Sequence, residues 1–267
     1  MQDRSIVRSI LITVLILFLV QAATAALVRA VYRVTMRETL WYLVAMPAVH
    51  AAIAASLVSL RHLFVNSDTG RRLTRVNFAN VLSLVRLSAA PTLLWLVLLA
   101  RSYQTGPVVV PMTALVFLTD LLDGQISRRT RQVTRIGRYL DSSSDYTVLI
   151  VVAVALVSYR LVSVWLFTIV VIRLGVHLLG QIILLIARNW QLPFRTSALG
   201  KASVFAIMTL FALSLLRLIE ELPPWYETGH MAAEYVTGAI AALSLAEKIR
   251  EFVSEAADAR RSNRSTG

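Results

Sequence analysis

Apolar blocks long enough to cross a lipid bilayer run through almost the whole chain, and nothing else in it restricts the fold so much. A helix needs about 20 residues to span the hydrocarbon core. Eight segments reach or approach that length: Ser9–Leu27, Leu40–Leu60, Val81–Leu99, Val108–Ile126, Leu140–Val157, Leu161–Ile186, Ser197–Leu218 and Ala232–Ala246. The last is the weakest, being short and carrying Glu234 and Gly238. In lipid, backbone polar groups must be satisfied internally, which leaves helices and closed barrels. No period-two alternation favours a barrel. The expected class is therefore all-α integral membrane protein, in keeping with 57% hydrophobic residues and a mean hydropathy of +0.68. Arg4 and Arg8 precede the first block as in a signal peptide, but its length and the spans that follow predict an uncleaved helix.

The formal charge of +12 would suit nucleic-acid binding if it lay on a soluble face. It lies between the spans instead. With the N-terminus in the cytoplasm, nineteen of the 27 Lys and Arg residues fall on the cytoplasmic side, as the positive-inside bias requires. Both termini are thus expected in the cytoplasm, with no nucleic-acid partner. The compact form suggests a bacterial cytoplasmic membrane. The absence of cysteine excludes disulfides and thiolate metal sites.

Gly106-Pro107 and Pro223-Pro224 predict external turns. Trp41, Tyr42, Trp225 and Tyr226 are expected in the interfacial aromatic belts. A polar break at 66–70 follows the second span, and Leu73–Ala79 is expected to form a short interfacial helix. Three segments result: a two-helix membrane extension over 1–66, a six-helix membrane domain over 67–250, and a polar tail over 251–267 expected to be disordered.

Between Glu38 and Glu220 the only acids besides Asp68 are Asp120, Asp123, Asp141 and Asp145. Intramembrane acids are costly and mark functional sites. Spacings of three and four set each pair on one helix face. The topology brings both pairs to the cytoplasmic ends of neighbouring antiparallel spans. Four such carboxylates would repel one another unless cations intervene. Two Mg²⁺ or Mn²⁺ ions would balance them, a usual device for phosphoryl transfer. Gly124 leaves room for a diphosphate. Gly137 does the same or lets helices pack closely, and Arg128 offers a planar donor to a phosphate oxygen.

The run from Asp120 to Asp145 resembles the signature of the CDP-alcohol phosphatidyltransferases, D-x2-D-G-x2-A-R-x8-G-x3-D-x3-D, with Ser127 in place of Ala. Asn80, Ser83 and Arg86, with Pro91 after them, resemble that family's first core helix, and Gly200-Lys201 resembles a pair found at the start of a later one. Val204 stands where members often have Thr. The resemblance covers a six-helix core and leaves the first two spans as an addition. It implies transfer of a phosphatidyl group from CDP-diacylglycerol to an alcohol, with release of CMP. It implies two metal ions on the four Asp residues, Asp145 as general base, and a homodimer. Nucleotide contacts would fall to Asn80, Ser83, Asp123, Gly124, Ser127, Arg128 and Gly137.

Arg173, His177 and Gln181 form a stripe in the sixth span. They serve either as interhelical hydrogen-bonding groups or, with Arg195 and Lys201, as a pocket for a phosphate-bearing alcohol such as glycerol 3-phosphate or inositol phosphate. His50 is expected to be structural. Two other activities fit parts of the pattern. A CDP-aminoalcohol could donate its headgroup to diacylglycerol. A divalent-cation transporter would instead hold its acids near the bilayer midplane.

Overall fold

The structure, a computed structural model, describes residues 2–129, 133–187, 197–218 and 222–265. Among them run eight α-helices and no strand: α1 (Gln2–Tyr32), α2 (Met36–Ser59), α3 (Phe78–Tyr103), α4 (Gly106–Arg129), α5 (Arg135–Ser158), α6 (Val164–Ala187), α7 (Ala198–Leu215) and α8 (Pro224–Ser265). By length and apolarity α1, α2, α3, α5 and α7 can cross a membrane, and α4 and α6 hold shorter apolar stretches, Gly106–Thr119 and Val164–His177. Leu11, Leu15, Ile16, Leu19, Val20 and Leu27 lie exposed along α1. A face of that size is stable against lipid rather than water. The chain is an all-α integral membrane protein.

Two compact units divide the chain, residues 1–155 with 218–220 and residues 156–217 with 221–267. The boundary expected at residue 66 therefore does not separate compact units, because α1 and α2 are packed on α3. Buried polar groups join them. Thr92 Oγ1 donates to Gln21 Oε1 at 2.6 Å, Tyr42 Oη lies 3.0 Å from Thr92 Oγ1, and His50 Nε2 lies 2.8 Å from Ser88 Oγ. Below them Ile6, Ile10, Val14, Ile53 and Leu57 meet Leu84 of α3 and Ile136 and Leu140 of α5 in one apolar cluster.

The interfacial helix expected over Leu73–Ala79 does not form. Residues 73–77 are irregular, with a bend at Thr74 and Arg75, and Phe78 and Ala79 belong to α3; the backbone hydrogen bonds run elsewhere, Leu73 N donating to Phe64 O at 2.8 Å and Val76 N to Ser9 Oγ of α1 at 3.1 Å. Asn77 then caps α3, its side chain accepting from Asn80 N. The polar break at 66–70 is an ordered turn. Asn66 Oδ1 accepts from Asp68 N and Thr69 N, and Gly70 supplies the φ of +68° that closes the turn. Ser67 N donates to Val133 O and Arg135 N to Val65 O, so this turn is fastened to the start of α5.

In the second unit α6 and α7 each pack on α8. Gly238 of α8 lies directly under the Trp165 ring of α6, where any side chain would collide. The tail expected to be disordered continues α8 as far as Ser265. Ala256, Ala257, Ala259, Arg260 and Arg261 are strong helix formers, and neither Gly nor Pro interrupts them before Gly267. Of the expected belt residues, Trp41 and Trp225 face outward, whereas Tyr42 and Tyr226 are buried. Adjacent helix positions point about 100° apart, which lets one member of each pair turn inward while the other faces out. Tyr42 stacks on Trp95 at 4.8 Å between ring centroids.

Candidate active site

The site is built where the first turns of α3 meet those of α5. Asn77, Asn80, Ser83 and Arg86 recur every three residues and share a face of α3. Gly137, Asp141, Ser144 and Asp145 share the corresponding face of α5. Thr134, at the start of α5, fastens the two faces: its Oγ1 accepts from Gly137 N at 2.9 Å and donates to Asn80 Oδ1 at 3.0 Å. A Cβ on Gly137 would come within 2.7 Å of both Asn80 Oδ1 and Thr134 Oγ1. Glycine at this position is thus required by the close approach of the α3 side chains.

Arg86 is 1% exposed and reaches both acids. Its Nη2 lies 2.9 Å from Asp141 Oδ1 and 3.1 Å from Asp145 Oδ1, and its Nε donates to Ser144 Oγ at 3.2 Å. Burying a guanidinium is tolerable only with such pairing. The two carboxylates differ in access, at 50% exposure for Asp141 against 17% for Asp145. Asn80 is buried, and its Nδ2 has no hydrogen-bond partner among the described residues. A buried donor of that kind calls for a partner of another sort. The donor set on α5 is hard oxygen, and it already accommodates one cationic group between two carboxylates. Oxygen donors of this kind are those that Mg²⁺ or Mn²⁺ takes, although among the described residues no group of three acidic or histidine side chains gathers here.

Asp120, Asp123, Gly124, Ser127 and Arg128 fall on the last turns of α4, a helix that packs on α3, and their side chains lie outside the described part of the structure. Ser83 is buried on the α3 face. In the second unit Arg173 and His177 are buried one turn apart on α6, while Lys201 is exposed on the first turn of α7. Arg173 Nη2 donates to Gly200 O at 2.9 Å and its Nε to Ser244 Oγ at 3.3 Å, tying α6 to α7 and α8. Ser197 caps α7 by accepting from Gly200 N, and donates to Glu247 Oε2 at 2.6 Å. Arg195 lies outside the described residues.

One participant was not singled out by the sequence. Thr134 carries no signal beyond standing three residues before Gly137. Arg86 did carry one, as the lone Lys or Arg of its apolar span, which marks a cation with a partner inside the bundle.

Helical carboxylates at the end of apolar spans, with a buried arginine between them and a buried amide beside them, make a polar site within the bundle. The chain's relatives make the class specific. The CDP-alcohol phosphatidyltransferase family model matches residues 76–245, and the chain belongs to that family. The matched region opens one residue before the α3 cap and leaves α1 and α2 outside it. The chain is 32% identical over 141 residues to a CMP-forming cardiolipin synthase of Streptomyces coelicolor, covering 51% of this chain and 64% of that protein. It is 29% identical over 138 residues to proteins of Mycobacterium bovis and Mycobacterium tuberculosis named provisionally as cardiolipin synthases, covering 51% of this chain and 63% of theirs. The alignments thus span just under two thirds of the length of these curated relatives.

Proposed function

We propose that the protein transfers a phosphatidyl group from CDP-diacylglycerol to an alcohol and releases CMP, as a step of phospholipid synthesis. The observation that carries this reading is the convergence of Asp141 and Asp145 opposite the Asn80–Ser83–Arg86 face, inside the region matched by the family. The alcohol oxygen attacks the phosphorus that bears diacylglycerol. The bond from that phosphorus to the CMP oxygen breaks, and CMP leaves with the electron pair. The alcohol proton passes to Asp145, the more sheltered carboxylate and the proposed general base. Two divalent cations, held by Asp141 and Asp145 with Asp120 and Asp123, would supply charge neutralisation for the diphosphate. Arg86 holds the α5 acids in register, and the free Nδ2 of Asn80 is suited to the nucleotide or its phosphate. Ser83, Gly124, Ser127, Arg128 and Gly137 complete the proposed CDP site.

The acceptor favoured here is phosphatidylglycerol, the alcohol that a CMP-forming cardiolipin synthase needs to make its product. The reading rests on the named function of the Streptomyces relative. It keeps the chemistry expected from the sequence, a glycerol or polyol hydroxyl next to a phosphate, and assigns that phosphate to Lys201 and Arg195, with Arg173 and His177 behind them and Arg173 holding the start of α7. Glycerol 3-phosphate and inositol phosphate are the soluble acceptors of the same type. The site and both termini are proposed to lie on the cytoplasmic side of a bacterial membrane, a reading that the arginine bias supports, and the active species is proposed to be a homodimer. Purified protein with Mn²⁺ and CDP-diacylglycerol is expected to release CMP when phosphatidylglycerol is added, and to stop when the metal is chelated. CMP release only with a soluble phosphorylated alcohol would reassign the acceptor. Release from a CDP-aminoalcohol with diacylglycerol would reverse the lipid roles. Metal flux into proteoliposomes with no CMP release from any substrate would sink the reading altogether.

A further inference from the structure

The two added helices carry a feature that the reaction does not use. Arg4, Val7, Arg8, Leu11 and Ile12 recur at helical spacing and form one face of α1. With Asp3, with Val58 near the end of α2 and with Arg61 just beyond it, they line a groove of about 720 Å³. The groove is graded along the helix axis. Arg4, Arg8, Arg61 and Asp3 line it beside the start of α1, and Leu11 and Ile12, about half exposed, continue it towards the apolar middle of the helix. Arg61 Nη1 donates to Val58 O at 3.1 Å, which fixes its side chain over the end of α2. Arg4 and Arg8 are exposed and stand one turn apart.

We propose that this groove binds one anionic phospholipid, its phosphate among Arg4, Arg8 and Arg61 and an acyl chain along Leu11, Ile12 and Val58. Charge complementarity selects the occupant. An excess of cations at the depth of the headgroups attracts acidic lipids, and basic pockets between membrane helices bind them. An apolar floor directly below the cations excludes a soluble phosphate as the natural occupant, since that floor would then face water. The adjoining face of the same two turns of α1 grips the segment leading into α3, through Ser5 Oγ donating to Thr74 O at 3.1 Å and Ser9 Oγ accepting from Val76 N. A lipid seated in the groove would brace the turns that hold the entry to Asn80 and Arg86. The proposal does not depend on which reaction the site performs.

The absence of cysteine makes a single-label experiment clean. Full-length Leu11→Cys protein, labelled with a fluorophore, is reconstituted in phosphatidylcholine vesicles. Equal mole fractions of acyl-brominated phosphatidylglycerol or brominated phosphatidylcholine serve as quenchers. Val44→Cys, on the exposed apolar face near the other end of α2, is the reference for ordinary annular lipid. At Leu11 the acidic lipid is expected to be favoured by about fivefold for each guanidinium engaged, and at Val44 not at all. The triple variant Arg4→Gln, Arg8→Gln, Arg61→Gln should bring Leu11 down to the Val44 ratio. Should that variant fail to insert, Arg8→Gln alone and added salt on the otherwise unaltered labelled protein read the same term. Equal quenching by the two lipids at Leu11, or a preference that survives both neutralisation and salt, would overturn the proposal.

Discussion

Arg86 Nη2 sits 2.9 Å from Asp141 Oδ1, joining the third turn of α3 to the second turn of α5. The same nitrogen is 3.1 Å from Asp145, so one buried cation sets the positions of two acids that would otherwise repel. Arg86→Met is expected to cost about 1–3 kcal/mol of stability. That is less than the loss of one partner from a fully buried pair, because solvent screens half-exposed Asp141. CMP release should fall further than the stability loss explains. Arg86→Lys restores a charge but not the planar fork, and should recover folding better than turnover. A thermal melt alongside a CMP assay separates the two effects. Equal activity in all three proteins would remove Arg86 from the site.

Gly137→Ala tests the close approach of α3 and α5. The added methyl must displace either Asn80 Oδ1 or Thr134 Oγ1, both fixed by hydrogen bonds. Displacing Asn80 moves the buried amide proposed to meet the nucleotide. The expected result is at least about a tenfold rise in KM for CDP-diacylglycerol, equivalent to roughly 1.4 kcal/mol, with a smaller change in melting temperature. Asn80→Ala in the same background should add little further loss, since coupled neighbours are not additive.

The bundle was legible in the sequence because lipid leaves so few solutions to an apolar chain. Hydropathy located every helix, and the spacing of Asp141 and Asp145 gave their common face on α5. Three features resisted. The segment Leu73–Ala79 has helical composition, but its backbone groups bond to Phe64 and Ser9, partners remote in sequence. Tyr42 looked interfacial beside Trp41, yet the hydroxyl of Thr92 and the ring of Trp95 draw it inward. Arg86 was legible as part of the first core helix, but only the approach of α5 reveals its two partners. Each miss comes from a long-range contact that local pattern does not encode.

Asp145→Asn removes the proposed base while keeping an oxygen for Arg86. Turnover is expected to drop by about 10²–10⁴-fold, with the melting temperature and circular dichroism close to those of the unaltered protein. Asp141→Asn should also lose activity but retain the base, so its residual rate should stay dependent on pH in a way that the Asp145→Asn residual rate is not. Full turnover in Asp145→Asn would require another base.

Arg173 and Lys201 should separate by readout, although both were expected at the acceptor pocket. Arg173 is buried, with Nε and Nη2 committed to Ser244 and Gly200. Arg173→Leu leaves a buried carbonyl and a buried hydroxyl without their donor, at a cost of about 1–3 kcal/mol. Its first effect should be a lower melting temperature, with acceptor KM changing mainly as the fold loosens. Lys201 is exposed one residue beyond the carbonyl that Arg173 holds. Lys201→Gln should leave the melting temperature alone and raise the acceptor KM by about tenfold, roughly the worth of one charge-assisted hydrogen bond to phosphate. That rise should vanish with an uncharged alcohol tested as a poor acceptor, because the lost contact is to the phosphate and not to the attacking hydroxyl. An unchanged acceptor KM in Lys201→Gln would move acceptor recognition away from the start of α7.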